Sequence, residues 1–168
     1  MMTVKSAFTP EEWKTLMEAV MATGVAVSAA EPSGLWGMMK EGFASAAVLS
    51  EAKTKQDANP LVRAIVDDFV TSEARQSVQS GLKEKFQGAK ASDIKERAIG
   101  LLRQASMIVD TKAPQDAPAF KDWLEQLGQR VADASKEGGF LGFGGILVSE
   151  AEKATLNEIT NALHSSKA

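Results

Sequence analysis

The chain has 168 residues, with 44% hydrophobic and 24% charged side chains and a formal net charge of −3. Length and composition are those of one ordinary globular domain, and the mild negative charge does not suggest a nucleic-acid binder. There is no cysteine, no tyrosine and a single histidine, which removes disulfides, thiolate metal sites, thiol catalysis and the common zinc constellations.

The N-terminal MMTVKSAFTPEEW lacks the apolar core of a secretion signal, so the expected location is the cytoplasm. Thr9-Pro10-Glu11-Glu12 is a capping box with proline at the first helical position, and Phe8 and Trp13 are placed to form a hydrophobic staple. The first helix is expected over 10–29. Trp13, Leu16, Met17, Val20, Met21, Gly24 and Val27 share one face, and Glu11, Lys14, Thr15 and Glu18 fall off it.

Glu31-Pro32-Ser33-Gly34 breaks that helix. A second is expected over about 34–54, with Leu35, Met38, Met39, Phe43 and Leu49 on an apolar arc and small residues that admit a close partner helix. Asn59-Pro60 repeats the cap-and-proline start for a third helix over 60–70. Asp67 and Asp68 are about 100° apart on it and read as solvated charge. Thr71-Ser72 marks a break. A fourth helix, over 73–87, carries the narrow stripe Val78, Leu82 and Phe86 and belongs on the surface, with Gly88 as its C-terminal cap. Ser92 is the expected cap of a fifth helix over 93–110.

Residues 72–103 hold seven basic and four acidic side chains, a local excess that reads as a solvated face rather than a phosphate track. Thr111 to Pro118 reads as a loop. A sixth helix is expected over 118–136 and a seventh over 150–164. His164, in the last turn of the latter, is suited to a cation at a helix C-terminus. No segment shows period-two alternation, and no apolar run reaches the roughly 20 residues of a membrane span. The expected fold is therefore all-α: a single compact domain over 1–168 of about seven mostly antiparallel helices. Phe8…Trp13…Gly34-Leu35-Trp36-Gly37 echoes Phe120…Trp123…Gly139-Phe140-Leu141-Gly142. Either 8–57 and 120–163 are related helix–loop–helix units or the echo is chance.

The segment from Glu137 to Glu152 interleaves five glycines with Phe140, Leu141, Phe143, Ile146, Leu147 and Val148 before the helix start Ser149-x-x-Glu152. It reads as a shaped connector. Trp36, Phe140 and Phe143 are either core plugs or anchors for a protein or small apolar partner. The connector is not a phosphate loop, because no Gly-Lys-Ser/Thr follows it. Neither a nucleophile nor an acid–base pair stands out, so the chain reads as a non-enzyme without a cofactor.

The run Val131-Ala132…Glu137-Gly138-Gly139…Ile146-x-Val148-Ser149-x-x-Glu152-x-x-x-Leu156-x-x-Ile159-x-x-Ala162-Leu163 resembles the helix–turn–helix pattern of TerB-type tellurite-resistance proteins. The resemblance covers about a fifth of the chain, and Ala29-Ala30-Glu31-Pro32-Ser33-Gly34 is a poorer echo of the same turn. It implies a wholly helical fold, a setting in stress and tellurite resistance, and metal binding through acidic turns. Carried over, the metal candidates are Glu137 and Glu152, with Glu31 in the weaker echo. The chain differs from the pattern in having glutamate for the usual aspartate at 137 and an aromatic-glycine insertion over 140–145. Two functions thus stand side by side: a non-enzymatic interaction module, or a metal-binding resistance protein.

Overall fold

A computed structural model describes residues 4–29, 59–69, 71–138 and 150–164. Its described residues form six α-helices after a short 3-10 turn, Val4–Ala7: α1 Pro10–Ala29, α2 Pro60–Phe69, α3 Ser72–Phe86, α4 Ala91–Lys112, α5 Ala117–Gly138 and α6 Glu150–His164. The all-helical fold is as expected, and no strand occurs among the described residues. The helix expected over 34–54 lies outside them.

Local chemistry sets most of the helix starts. The Glu12 backbone N–H donates to Thr9 Oγ1 (3.1 Å) while the Thr9 N–H donates to Glu12 Oε2 (2.9 Å), which closes the capping box. Phe8 and Trp13 meet with ring centroids 5.6 Å apart, so the staple forms. Asn59 Oδ1 accepts from the Leu61 N–H, and its Nδ2 donates to Asp116, tying the start of α2 to the turn before α5. Thr71 caps α3 by accepting from the Ala74 N–H. Gly88 takes φ +73° just past α3, a left-handed angle that glycine adopts without a Cβ penalty.

Two boundaries differ from expectation. Helix α4 starts before Ser92: Lys90 is its N-cap residue, and the Lys90 N–H donates to Asp93 Oδ2. The carboxylate three residues on thus satisfies the helix start that Ser92 was expected to cap. The loop expected over Thr111–Pro118 shrinks to residues 113–116, because α4 runs on to Lys112 and α5 begins at Ala117 with Pro118 in its first turn. Proline is tolerated there because a first-turn N–H has no intrahelical acceptor.

Helix α1 is the centre of the bundle and touches each of the other five; its main partner is α4. It is buried on nearly every side, through Trp13, Leu16, Met17, Ala19, Val20, Ala22, Val25, Ala26 and Val27. An all-round apolar helix has no other stable place in a small helical domain. The other helices close over it with one face each: Leu61, Ile65 and Phe69 from α2, Leu102, Ala105 and Val109 from α4, Phe120, Leu124 and Leu127 from α5, and Ile159 and Leu163 from α6. As expected, α3 lies at the surface and buries Val78, Leu82 and Phe86 along a narrow stripe. No described helix is long and apolar enough to cross a membrane.

Candidate functional site

Polar side chains cross-tie this bundle at the edges of its apolar core. Asp68 Oδ2 accepts from both Trp13 Nε1 and Lys5 Nζ, each at 2.7 Å, and the Lys5 ammonium lies 5.7 Å from the Trp13 ring centroid. The expectation that Asp68 is merely solvated charge is therefore corrected: it satisfies the indole N–H of a buried tryptophan. Glu18, expected off the core face of α1, is only 1% exposed and pairs with Lys85 of α3 at 2.7 Å. It is buried because α3 covers that side of α1 through Gly81 and Lys85. Lys121 of α5, 2% exposed, donates to both carboxylate oxygens of Asp110 on α4 at 2.8 and 2.7 Å. Ser106 donates to the Leu163 carbonyl at 2.6 Å and pins α6 to α4.

The basic stretch 72–103 takes part in the same ties. Lys85 meets Glu18, Lys95 meets Glu158, and Arg97 donates to the Lys85 carbonyl. Those three cations serve the fold.

Four of the residues singled out for function, Glu31, Trp36, Phe140 and Phe143, lie outside the described residues. Glu137 and Glu152 fall on α5 and α6 by their backbone, but their side chains are not among the described ones. Among the described residues Met107, 60% exposed, is the one large apolar side chain left in solvent.

A different set of residues converges. Asp122 and Glu125 are one turn apart on α5, and His164 ends α6. One ligand atom from each, two carboxylate oxygens and an imidazole nitrogen, all lie within 4.8 Å of one another. His164 Nε2 is 2.5 Å from Glu125 Oε1. The register that unites them comes from the core. An ideal Cβ at Gly128 would lie 3.3 Å from Leu156 and 3.6 Å from Ile159, so α5 and α6 run antiparallel in close contact. Leu127 and Leu163 are fully buried beside the cluster. All three polar residues stay open to water, Glu125 least. The sequence reading placed His164 in a last helical turn but did not find its acidic neighbours. The i, i+3 pair Asp122-x-x-Glu125 was the available signal, and it gains meaning only from the packing of a helix 39 residues away.

Comparison of the chain with protein-family models, with curated proteins and with solved structures finds no match.

Proposed function

We propose that the chain is a non-enzymatic helical interaction module that holds a protein or small apolar partner through the glycine-aromatic connector and the second expected helix, with Trp36, Phe140 and Phe143 as anchors. The observation that supports this reading is the fixing of the two helices that flank residues 139–149. Helix α5 is tied to α4 by Lys121–Asp110, and α6 is tied to α4 by Ser106–Leu163. Both pack directly on each other at Gly128. A segment whose two ends are fixed loses less conformational freedom when it binds, which favours recognition. Three of the described carboxylates, Glu18, Asp68 and Asp110, are taken up by the scaffold, held by cations or an indole N–H. The resemblance to TerB-type proteins adds a stress-resistance setting to the proposal.

The test substitutes Phe143→Ser, Phe140→Ser and Trp36→Ser one at a time. Each variant is melted by circular dichroism and used to capture a partner, whose affinity is then measured with purified components. Folded variants that lose the partner support the reading. Variants that unfold make the aromatics core plugs, and folded variants that keep full affinity remove these residues from any site.

A second reading, metal binding through Glu137 and Glu152, draws support from their places on the two helices that flank the connector. Calcium or manganese should then raise the melting temperature, and Glu137→Gln should abolish the rise. No shift at millimolar metal removes this reading.

A further inference from the structure

We propose that Asp122, Glu125 and His164 form a site for a borderline divalent cation of the zinc class, which clips together the open end of the α5–α6 hairpin. The site is separate from Glu137 and Glu152. Those lie toward the connector, whereas Asp122 and Glu125 are near the start of α5 and His164 is the last residue of α6. From Glu125 to Gly138 the helix rises about 20 Å, at roughly 1.5 Å per residue.

The donor set decides the class of ion. Calcium and magnesium take oxygen ligands almost exclusively. An imidazole nitrogen with two carboxylates instead suits zinc and its first-row neighbours. Three protein ligands with the remaining position left to water is a familiar arrangement for zinc, at about 2.0–2.2 Å from each nitrogen or oxygen. Ligand atoms around such an ion sit roughly 3–3.5 Å apart. The three groups here, mutually within 4.8 Å, need only rotamer adjustments to reach that spacing. The pair His164–Glu125 must open slightly from 2.5 Å to admit the ion.

Three features of the fold prepare the site. The i, i+3 spacing puts both carboxylates on one side of α5. The contact of Gly128 with Leu156 and Ile159 fixes the register of the two helices, so the backbone carrying the ligands does not have to be ordered on binding. His164 also ends α6, where the free carbonyls make the potential negative and favour a cation. Exposure of Asp122 and His164 leaves a path for the ion.

The experiment uses the full chain freed of metal by chelation. Zinc chloride is titrated calorimetrically and the chain is melted with and without zinc. The expected result is one bound ion per chain and a rise in melting temperature of roughly 5–10 °C at a hundredfold excess over Kd. His164→Ala and Asp122→Asn should each weaken binding at least tenfold. The quantity compared is the zinc-induced increment, because His164→Ala also removes the contact with Glu125. Magnesium at the same concentration should give no increment. A cobalt-substituted sample should show visible absorption that changes in His164→Ala. Absence of heat and of any melting shift at millimolar zinc overturns the proposal, as does an increment that survives in both variants. An increment lost in Glu137→Gln but kept in His164→Ala places the ion at the acidic turn and also overturns it. The interaction reading of the connector is unaffected by any of these results.

Discussion

Glu18 of α1 occupies the space that a side chain at position 81 of α3 would need. A Cβ built on Gly81 falls 2.5 Å from Glu18 Oε2 and 3.0 Å from Lys14 Cε. Oε1 of the same carboxylate meets Lys85, while Oε2 is buried with no hydrogen-bond partner among the described residues. The missing side chain at 81 is thus what lets a carboxylate enter the α1–α3 contact. Gly81→Ala has to push aside the ends of the Glu18 and Lys14 side chains, which offsets the gain in helix propensity, so it should be neutral or cost up to about 1 kcal/mol in urea unfolding. In a Glu18→Ala background only the flexible end of the Lys14 side chain remains close to that position. The same substitution should then stabilise, by up to about 1 kcal/mol, because alanine is the better helix former. Additive effects in the double-mutant cycle would show that the carboxylate does not hold that space.

The Lys121–Asp110 pair predicts an asymmetry. Lys121 is almost fully buried, whereas Asp110 keeps contact with solvent. Removing the acid strands an ammonium inside the bundle, so Asp110→Ala should cost about 3 kcal/mol or more. Removing the base leaves a carboxylate that water reaches. Lys121→Met fills a similar volume with apolar atoms and should cost less than about 1 kcal/mol, or stabilise. Equal losses in the two variants, measured by thermal and urea unfolding, would contradict this picture.

What the sequence discloses depends on how far apart the partners are. Thr9 and Glu12, Asn59 and Leu61, and Gly88 after Phe86 act within a few residues, so the caps and turns were legible. The stripe Val78, Leu82 and Phe86 was legible for α3 because only one narrow face of that helix meets the bundle. Periodicity failed at Glu18 because the helix that covers it, through Lys85, is 67 residues away. It failed at Asp68 because the indole that holds the carboxylate is 55 residues away. The Asp122–Glu125–His164 cluster was hidden for the same reason: the register of α5 against α6 is set by Gly128, Leu156 and Ile159 and leaves no local pattern.

The two buried tryptophans should respond differently to loss of the indole N–H. Each packs on a phenylalanine in a tilted pair, Phe8–Trp13 at 5.6 Å and Phe120–Trp123 at 6.4 Å. Trp13 donates to Asp68, whereas Trp123 Nε1 is buried with no partner among the described residues. Asp68→Ala should therefore cost about 1–3 kcal/mol, the penalty of an unsatisfied buried donor. Asp68→Asn, which keeps an acceptor oxygen, should recover most of that loss. Little of the effect comes from Lys5, which is half exposed and forms a surface ion pair. Trp123→Phe gives up no hydrogen bond and should be tolerated better than Trp13→Phe by about 1 kcal/mol. Equal costs for the two tryptophan substitutions, read from urea midpoints, would remove Asp68 from this role.

Two more glycines should respond in opposite directions to the same change. Gly100 lies inside α4, and an added Cβ meets nothing within 4 Å. There the glycine only loosens the helix, so Gly100→Ala should stabilise by about 0.5–1 kcal/mol through helix propensity and a less flexible unfolded chain. Gly88 also has open space around it, yet its φ is +73°. Gly88→Ala meets no neighbour and still has to hold a left-handed backbone, which should cost about 1–2 kcal/mol. Asparagine, the residue that best tolerates that region after glycine, should lose less than alanine at 88. Because neither site offers a contact to gain or lose, the opposite signs isolate the backbone term. A stabilising Gly88→Ala would mean that α3 ends in a conformation other than the left-handed one.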